Sequence, residues 1–400
     1  MMTVEELLEK QNMIERNLEL DLRKLEYLFV KSNTTSKINK IIYDLALFSD
    51  IYKMCYPDLP NEYLSWEKSR KLSMVLDDKV LDMYNQFNKN VIINNKLYNN
   101  MSSNVMECFS DYPFYKYLSN KIQGYSNKVL NESMYEFLNS YDSKLCKMFK
   151  DKINNCEIFY SLDLDKDDGE TSNIDCLRKN FITLKYNYRR NIDDAVSTMH
   201  EFGHSYEHEV MYGRNIPFLA DATPFFEVCS CFFEYAYMNY LRENKLLDKD
   251  IKIIFDLYYK NILLYNMDIY TISNYIKKSD TIDTHEEFIN VNDEEIWLET
   301  DEVKDKLNYY MFSKNREPLD LRETYIYGIG KLFAVILYDS YKNDPNNFKK
   351  EFVNTLCNYP LTKDISAFSN LGINEDELIN GNILKKRLKK DKEWYNERVY

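Results

Sequence analysis

His200, His204 and His208 are three of only four His in a 400-residue chain. The segment Met199-His-Glu-Phe-Gly-His204 places two imidazoles four residues apart. On a helix that spacing is about 40° around the axis and about 6 Å along it, so both rings reach one ion from the same face. Glu201 lies about 100° from His200, beside such an ion and not on it. A general base stands there to take a proton from water activated by a metal. With His this scarce, chance supplies about 0.003 His-Glu-x-x-His matches in the chain.

A catalytic zinc takes three protein ligands and keeps a fourth position open. The long metzincin pattern needs a glycine and a histidine where this chain has Glu207 and Val210, so the third ligand comes from elsewhere. The segment 225–238 is apolar apart from Glu227, Ser230 and Glu234. A carboxylate on so apolar a helix must be paired or coordinated, since burying it alone costs several kcal/mol. Glu227 is the expected third ligand, with Cys231 and Glu207 as rivals. Glu234 reads as an acceptor for a ligand imidazole or as a rim ion pair, and His208 as a surface residue or a support to the ligands.

The elements that must position these groups are mostly helical. The periodicity predicts helices over 192–211, 223–242, 248–278, 321–342 and 346–357. Asn191 or Asp193 caps the first, and Val196, Met199, Phe202 and Tyr206 give it an apolar stripe. Thr223 followed by Pro224 opens the second. Upstream, helices are predicted over 3–30 (a Thr3/Glu6 capping box), 38–56, 64–87 and 133–149, with a turn at Asn94-Asn95. Two strands, 157–164 and 181–188, flank a polar loop carrying Asp168-Gly169. Asp163, Asp165 and Asp167 imitate a calcium loop, but Asp168 and Ile174 stand where that motif needs Gly and Glu. The expected fold class is mainly α with a small sheet before the metal helix. The expected division is an N-terminal helical lobe over 1–150 and a catalytic domain over 151–400.

Composition narrows the function. Gly and Pro number eight each, too few for an all-β chain. The net charge of −13 argues against a nucleic-acid partner. The basic run Lys385-Lys-Arg387, with Lys389, Lys390 and Lys392, reads as a solvated helix face. Eight scattered Cys read as free thiols. With no leader pattern and no apolar stretch of membrane length, the expectation is a cytoplasmic protein with no membrane partner.

The motif His200-Glu-Phe-Gly-His204, then Glu227-x-x-Ser230 and Glu234, resembles the thimet oligopeptidase / oligoendopeptidase F family of zinc peptidases. Phe181-Ile-Thr-Leu-Lys-Tyr-Asn-Tyr188, Asp193 to Met199, and Tyr325-Ile-Tyr327-Gly328-Ile-Gly330 are similar to its oligoendopeptidase F branch. The resemblance covers roughly 155–345. It implies one Zn2+ held by His200, His204 and Glu227, and Glu201 as the base. It implies an oxyanion donor at Tyr327, or else Tyr325. It also implies substrate contacts from Phe181, Thr183 and Lys185 on the strand and from Gly328 and Gly330. The chain departs from the family at Glu207, where a His is usual, and has no counterpart of a His upstream of the Tyr segment. Its shorter N-terminal side implies a more open cleft. The expected function is a zinc endopeptidase acting on oligopeptides. The alternatives are a dedicated maturation protease and a noncatalytic peptide binder on the same scaffold.

Overall fold

The computed structural model describes residue 87 and residues 89–112, 124–154, 158–160, 169–174, 179–184, 191–213, 223–279 and 322–396. The expected helices 3–30 and 38–56, almost all of 64–87, the Asp163–Asp168 loop and Lys185 lie outside them. The described residues are mainly helical. They fall into two compact units, one within Gly124–Glu209 and the other comprising Met83–Gln123 with Val210–Tyr400.

In the first unit, α2 (Asn127–Tyr141) and α3 (Ser143–Asn154) form a hairpin broken at Asp142, where one continuous helix was expected. Asp142 is extended, and its carboxylate accepts from the Lys144 N–H at 2.9 Å, which caps the new helix. The sheet has three strands, β1 (Ile158–Tyr160), β2 (Gly169–Ile174) and β3 (Lys179–Leu184), in the order β1-β3-β2. Residues 158–160 of the first expected strand and 181–184 of the second are extended, the rest of both lies outside the described residues, and β2 occupies part of the expected loop. β3 runs parallel to β1 and antiparallel to β2.

Helix α4 (Ile192–Gly213), which carries His200 and His204, follows. Its start is a reciprocal cap: Asp194 N–H donates to Asn191 Oδ1 at 3.0 Å, and Asn191 N–H donates to Asp194 Oδ2 at 2.9 Å. Asn191, not Asp193, is therefore the cap. Val196, Met199 and Phe202 are buried as the stripe requires, and Phe202 meets Phe149 edge-on at 5.3 Å.

In the second unit, α5 (Val228–Glu243) begins later than expected. Residues 224–227 form a tight turn in which Val228 N–H bonds the Phe225 carbonyl at 3.0 Å. α5 packs against α6 (Asp248–Ser279) and α7 (Arg322–Asn343), and α6 packs against α1 (Asn95–Phe109). The apolar run 332–338 is buried in the middle of α7. α8 (Pro345–Thr362) is capped by Asp344 and stops at Lys363, which is left-handed at φ 54°. A 3-10 turn over 365–371, α9 (Glu375–Asn380) and α10 (Asn382–Asn396) complete the unit. On α10 the five lysines of the basic run face outward, as expected of a solvated face. Arg387 is the exception: it is buried beside Asp339 and over the Tyr338 ring.

Candidate metal centre

His200 and His204 stand on one side of α4, their ring centroids 5.2 Å apart. His204 and Glu201 are each 6% exposed. The motif therefore lies on a buried stretch of helix, not on an incidental surface helix.

Glu227 is 3% exposed and sits at the entry to α5. Its carboxylate is not spent on capping that helix. Instead Ser230 Oγ lies 2.6 Å from Glu227 Oε2 and 2.9 Å from the Glu227 carbonyl, and its hydroxyl donates into this pair of oxygens. One carboxylate oxygen is thus oriented by a neighbour three residues along. His200 and His204 belong to the first unit and Glu227 to the second. Two nitrogens and one oxygen, with the carboxylate buried and held, are a set that could hold a metal ion.

Cys231 and Glu234 on α5 are further possible ligands. Glu234, however, already accepts from Lys331 Nζ at 3.0 and 3.1 Å, through both of its oxygens. Burial would drive the Lys331 ammonium toward its neutral form, but the adjacent Glu234 carboxylate holds it above the ordinary range. The Lys331 ammonium also lies 4.5 Å from the centre of the Tyr258 ring. Glu234 is therefore in an ion pair with Lys331, which is one of its two expected roles, and the pair is part-buried. Sequence reasoning missed Lys331. Its signal was a lone cation at the edge of an apolar run, which has to find a partner.

Gly330 lies against Glu227. A Cβ at 330 would come within 2.9 Å of both the Cβ and the carbonyl oxygen of Glu227. A Cβ at Gly328 would instead meet the end of the Ile269 side chain at 2.6 Å and Tyr265 Cβ at 3.2 Å. Gly inside a helix costs about 1 kcal/mol relative to Ala, and close packing is the reason to accept it twice. Both glycines are buried.

The two candidate tyrosines differ. Tyr325 is fully buried, edge-on to Phe87 and Tyr98, with its hydroxyl 3.4 Å from Ser273 Oγ. Burial raises its phenol far above the usual range. These are the surroundings of a core aromatic. Tyr327 is half-buried and stacked on Tyr265 at 5.7 Å. Tyr265 was not foreseen, because its position within the uniform pattern of α6 gave no signal.

Two expectations need correction. His208 is not on the surface: it is 2% exposed, and burial, then His204 and Lys152, push its imidazole well below the ordinary range. The substrate contacts implied for Phe181, Thr183 and Lys185 on strand 181–188 would be by backbone pairing if that strand offered an edge. In fact Ile182, Thr183 and Leu184 are paired to β1 on one side and β2 on the other, and Phe181 is paired to Ser172. A central strand has no free backbone edge there to accept another strand.

No family model and no curated protein matches this chain. Among solved structures it is similar to several peptidases. One is a candidate peptidase from Chlamydophila abortus, with 16% identity and a TM-score of 0.48, covering 77% of this chain and 55% of that one. Another is a candidate oligoendopeptidase F from Bacillus anthracis str. Ames, with 10% identity and a TM-score of 0.48, covering 91% and 64%. A third is PZ peptidase A with an inhibitor, with 10% identity and a TM-score of 0.45, covering 97% and 72%. The chain spans between half and two thirds of the length of the first two. Among the described residues, no helix is long and apolar enough to cross a membrane.

Proposed function

We propose that this protein is a zinc-dependent endopeptidase acting on oligopeptides in the cytoplasm. The observation that carries the reading is the pair His200 and His204 on one side of a buried helix with Glu201 beside them, together with a buried Glu227 carboxylate held by Ser230. Two imidazoles and one carboxylate leave a tetrahedral ion one open position, which is the arrangement of catalytic rather than structural zinc. Bound there, the ion would supply Lewis acidity and make water nucleophilic near neutral pH.

The chain's own groups do the rest. The Glu201 carboxylate takes the proton from the attacking water and delivers it to the leaving amide nitrogen. The Tyr327 hydroxyl donates to the carbonyl oxygen as negative charge collects on it. Tyr325, with its hydroxyl at Ser273, braces the helix that carries Tyr327. The net charge of −13 favours a peptide over a nucleic-acid partner.

The test is a digest of a mixed peptide library read by mass spectrometry, run with chelator and with Glu201→Gln. The expected result is internal cleavage abolished by both treatments. Cleavage that survives chelation would overturn the reading. Metal binding without cleavage of any peptide would make the protein a peptide-binding scaffold, and cleavage of a single sequence would make it a maturation protease.

A further inference from the structure

We infer that Gly330 is a positioning residue for Glu227, with Lys331 holding it in register. The inference rests on the metal-site reading above. The two residues sit on α7, whereas Glu227 precedes α5, so one helix sets the place of a ligand carried by the other. At Gly330 the α7 backbone lies directly against the Cβ, carbonyl carbon and carbonyl oxygen of Glu227, at 2.9–3.0 Å from where a Cβ would stand. None of these atoms is the end of a flexible side chain, so any residue other than glycine must displace the Glu227 backbone. That backbone carries the carboxylate, and Ser230 holds both the carbonyl and Oε2, so a shift moves the whole ligand group.

Lys331 fixes the other coordinate. Glu234 is seven residues after Glu227, two turns along nearly the same face of α5. The bidentate bond from Lys331 to Glu234 therefore stops α7 from sliding along α5. Gly328 supplies an internal control. It is two residues away on the same helix and equally buried, yet its missing Cβ faces the Ile269 side chain and Tyr265 on α6 and not Glu227.

The experiment measures zinc affinity by chelator competition, alongside thermal stability, for wild type, Glu227→Gln, Gly328→Ala and Gly330→Ala. Ligand supports of this kind change metal affinity by about 10–100-fold. Gly330→Ala should weaken zinc by about that much, while Gly328→Ala loses stability with zinc affinity nearly unchanged. The double variant Lys331→Met/Glu234→Gln keeps side-chain length and net charge. It should weaken zinc several-fold and serves if Gly330→Ala does not fold. Zinc affinity that depends on Glu227 but survives both α7 changes overturns this inference alone, as does equal weakening by Gly328→Ala. Zinc affinity indifferent to Glu227→Gln overturns the metal-site reading as well.

Discussion

The Ser230 hydroxyl lies 2.6 Å from Oε2 of Glu227. A carboxylate fixed through one oxygen presents the other in a defined direction, which is how supporting groups tune metal ligands. Ser230→Ala should therefore weaken metal binding about 10–100-fold with little change in fold. Glu227→Ala should abolish stoichiometric binding, whereas Cys231→Ser should leave it intact. Metal analysis after dialysis against graded chelator distinguishes the three.

Tyr325 and Tyr327 are two residues apart and should respond differently to loss of the hydroxyl. Tyr327→Phe should lower kcat about 10²–10³-fold with KM little changed, as for removal of an oxyanion donor. Tyr325→Phe loses only a long contact to Ser273 in the core and should cost stability without lowering kcat. Steady-state kinetics on one cleaved peptide, with melting curves, decides between them.

Asp256 is 2% exposed, and its Oδ2 has no hydrogen-bond partner among the described residues. Burial pushes its carboxyl up to about 6, against a smaller opposing pull from Lys260. The folded state thus holds this proton more tightly than the unfolded chain does. The stability it contributes is fully present below the unfolded pKa near 4 and is lost as pH rises through about 6. Asp256→Asn should stabilise the protein at about pH 7.5 by on the order of 1–3 kcal/mol and be nearly neutral at about pH 4. Urea unfolding at the two pH values measures the difference.

The helices that carry the site were legible because their apolar residues recur at helical spacing and because Asn191 and Pro224 punctuate them. The His pair and Glu227 were legible because chemistry dictates their spacing and because a carboxylate is costly on an apolar helix. Other features depended on partners distant in sequence. Helix α1 begins at an Asn pair that reads as a turn, yet Asn95 of that pair and Asn99 one turn on bond across to α6. Asn95 donates to the Ser273 carbonyl and Asn99 to Asn274 Oδ1, each at 2.9 Å. Tertiary bonds supplied what local propensity withheld. The central place of β3 was hidden for the same reason, since β2 arises from a polar segment whose pairing no local pattern announces.

Asp391 on α10 is fully buried and pairs with Arg242 of α5, while Tyr259 of α6 donates to its other oxygen. Removing one partner strands a buried charge, so Asp391→Asn should destabilise by about 3 kcal/mol or more. Thermal and urea unfolding report this directly. Arg242→Lys should not substitute fully, because the guanidinium is also stacked over Phe255 and Trp394.

That same carboxylate bears on biosynthesis. Arg242 ends the helix that begins beside Glu227, and its counter-charge is encoded almost 150 residues later. During translation α5 emerges with Arg242 beside Asn239 but without the carboxylate that neutralises it. The helix that follows Glu227 reaches its final charge balance only once Asp391 has been made. Nascent chains stopped before Asp391 should therefore be more protease-sensitive around α5 than chains that extend past it.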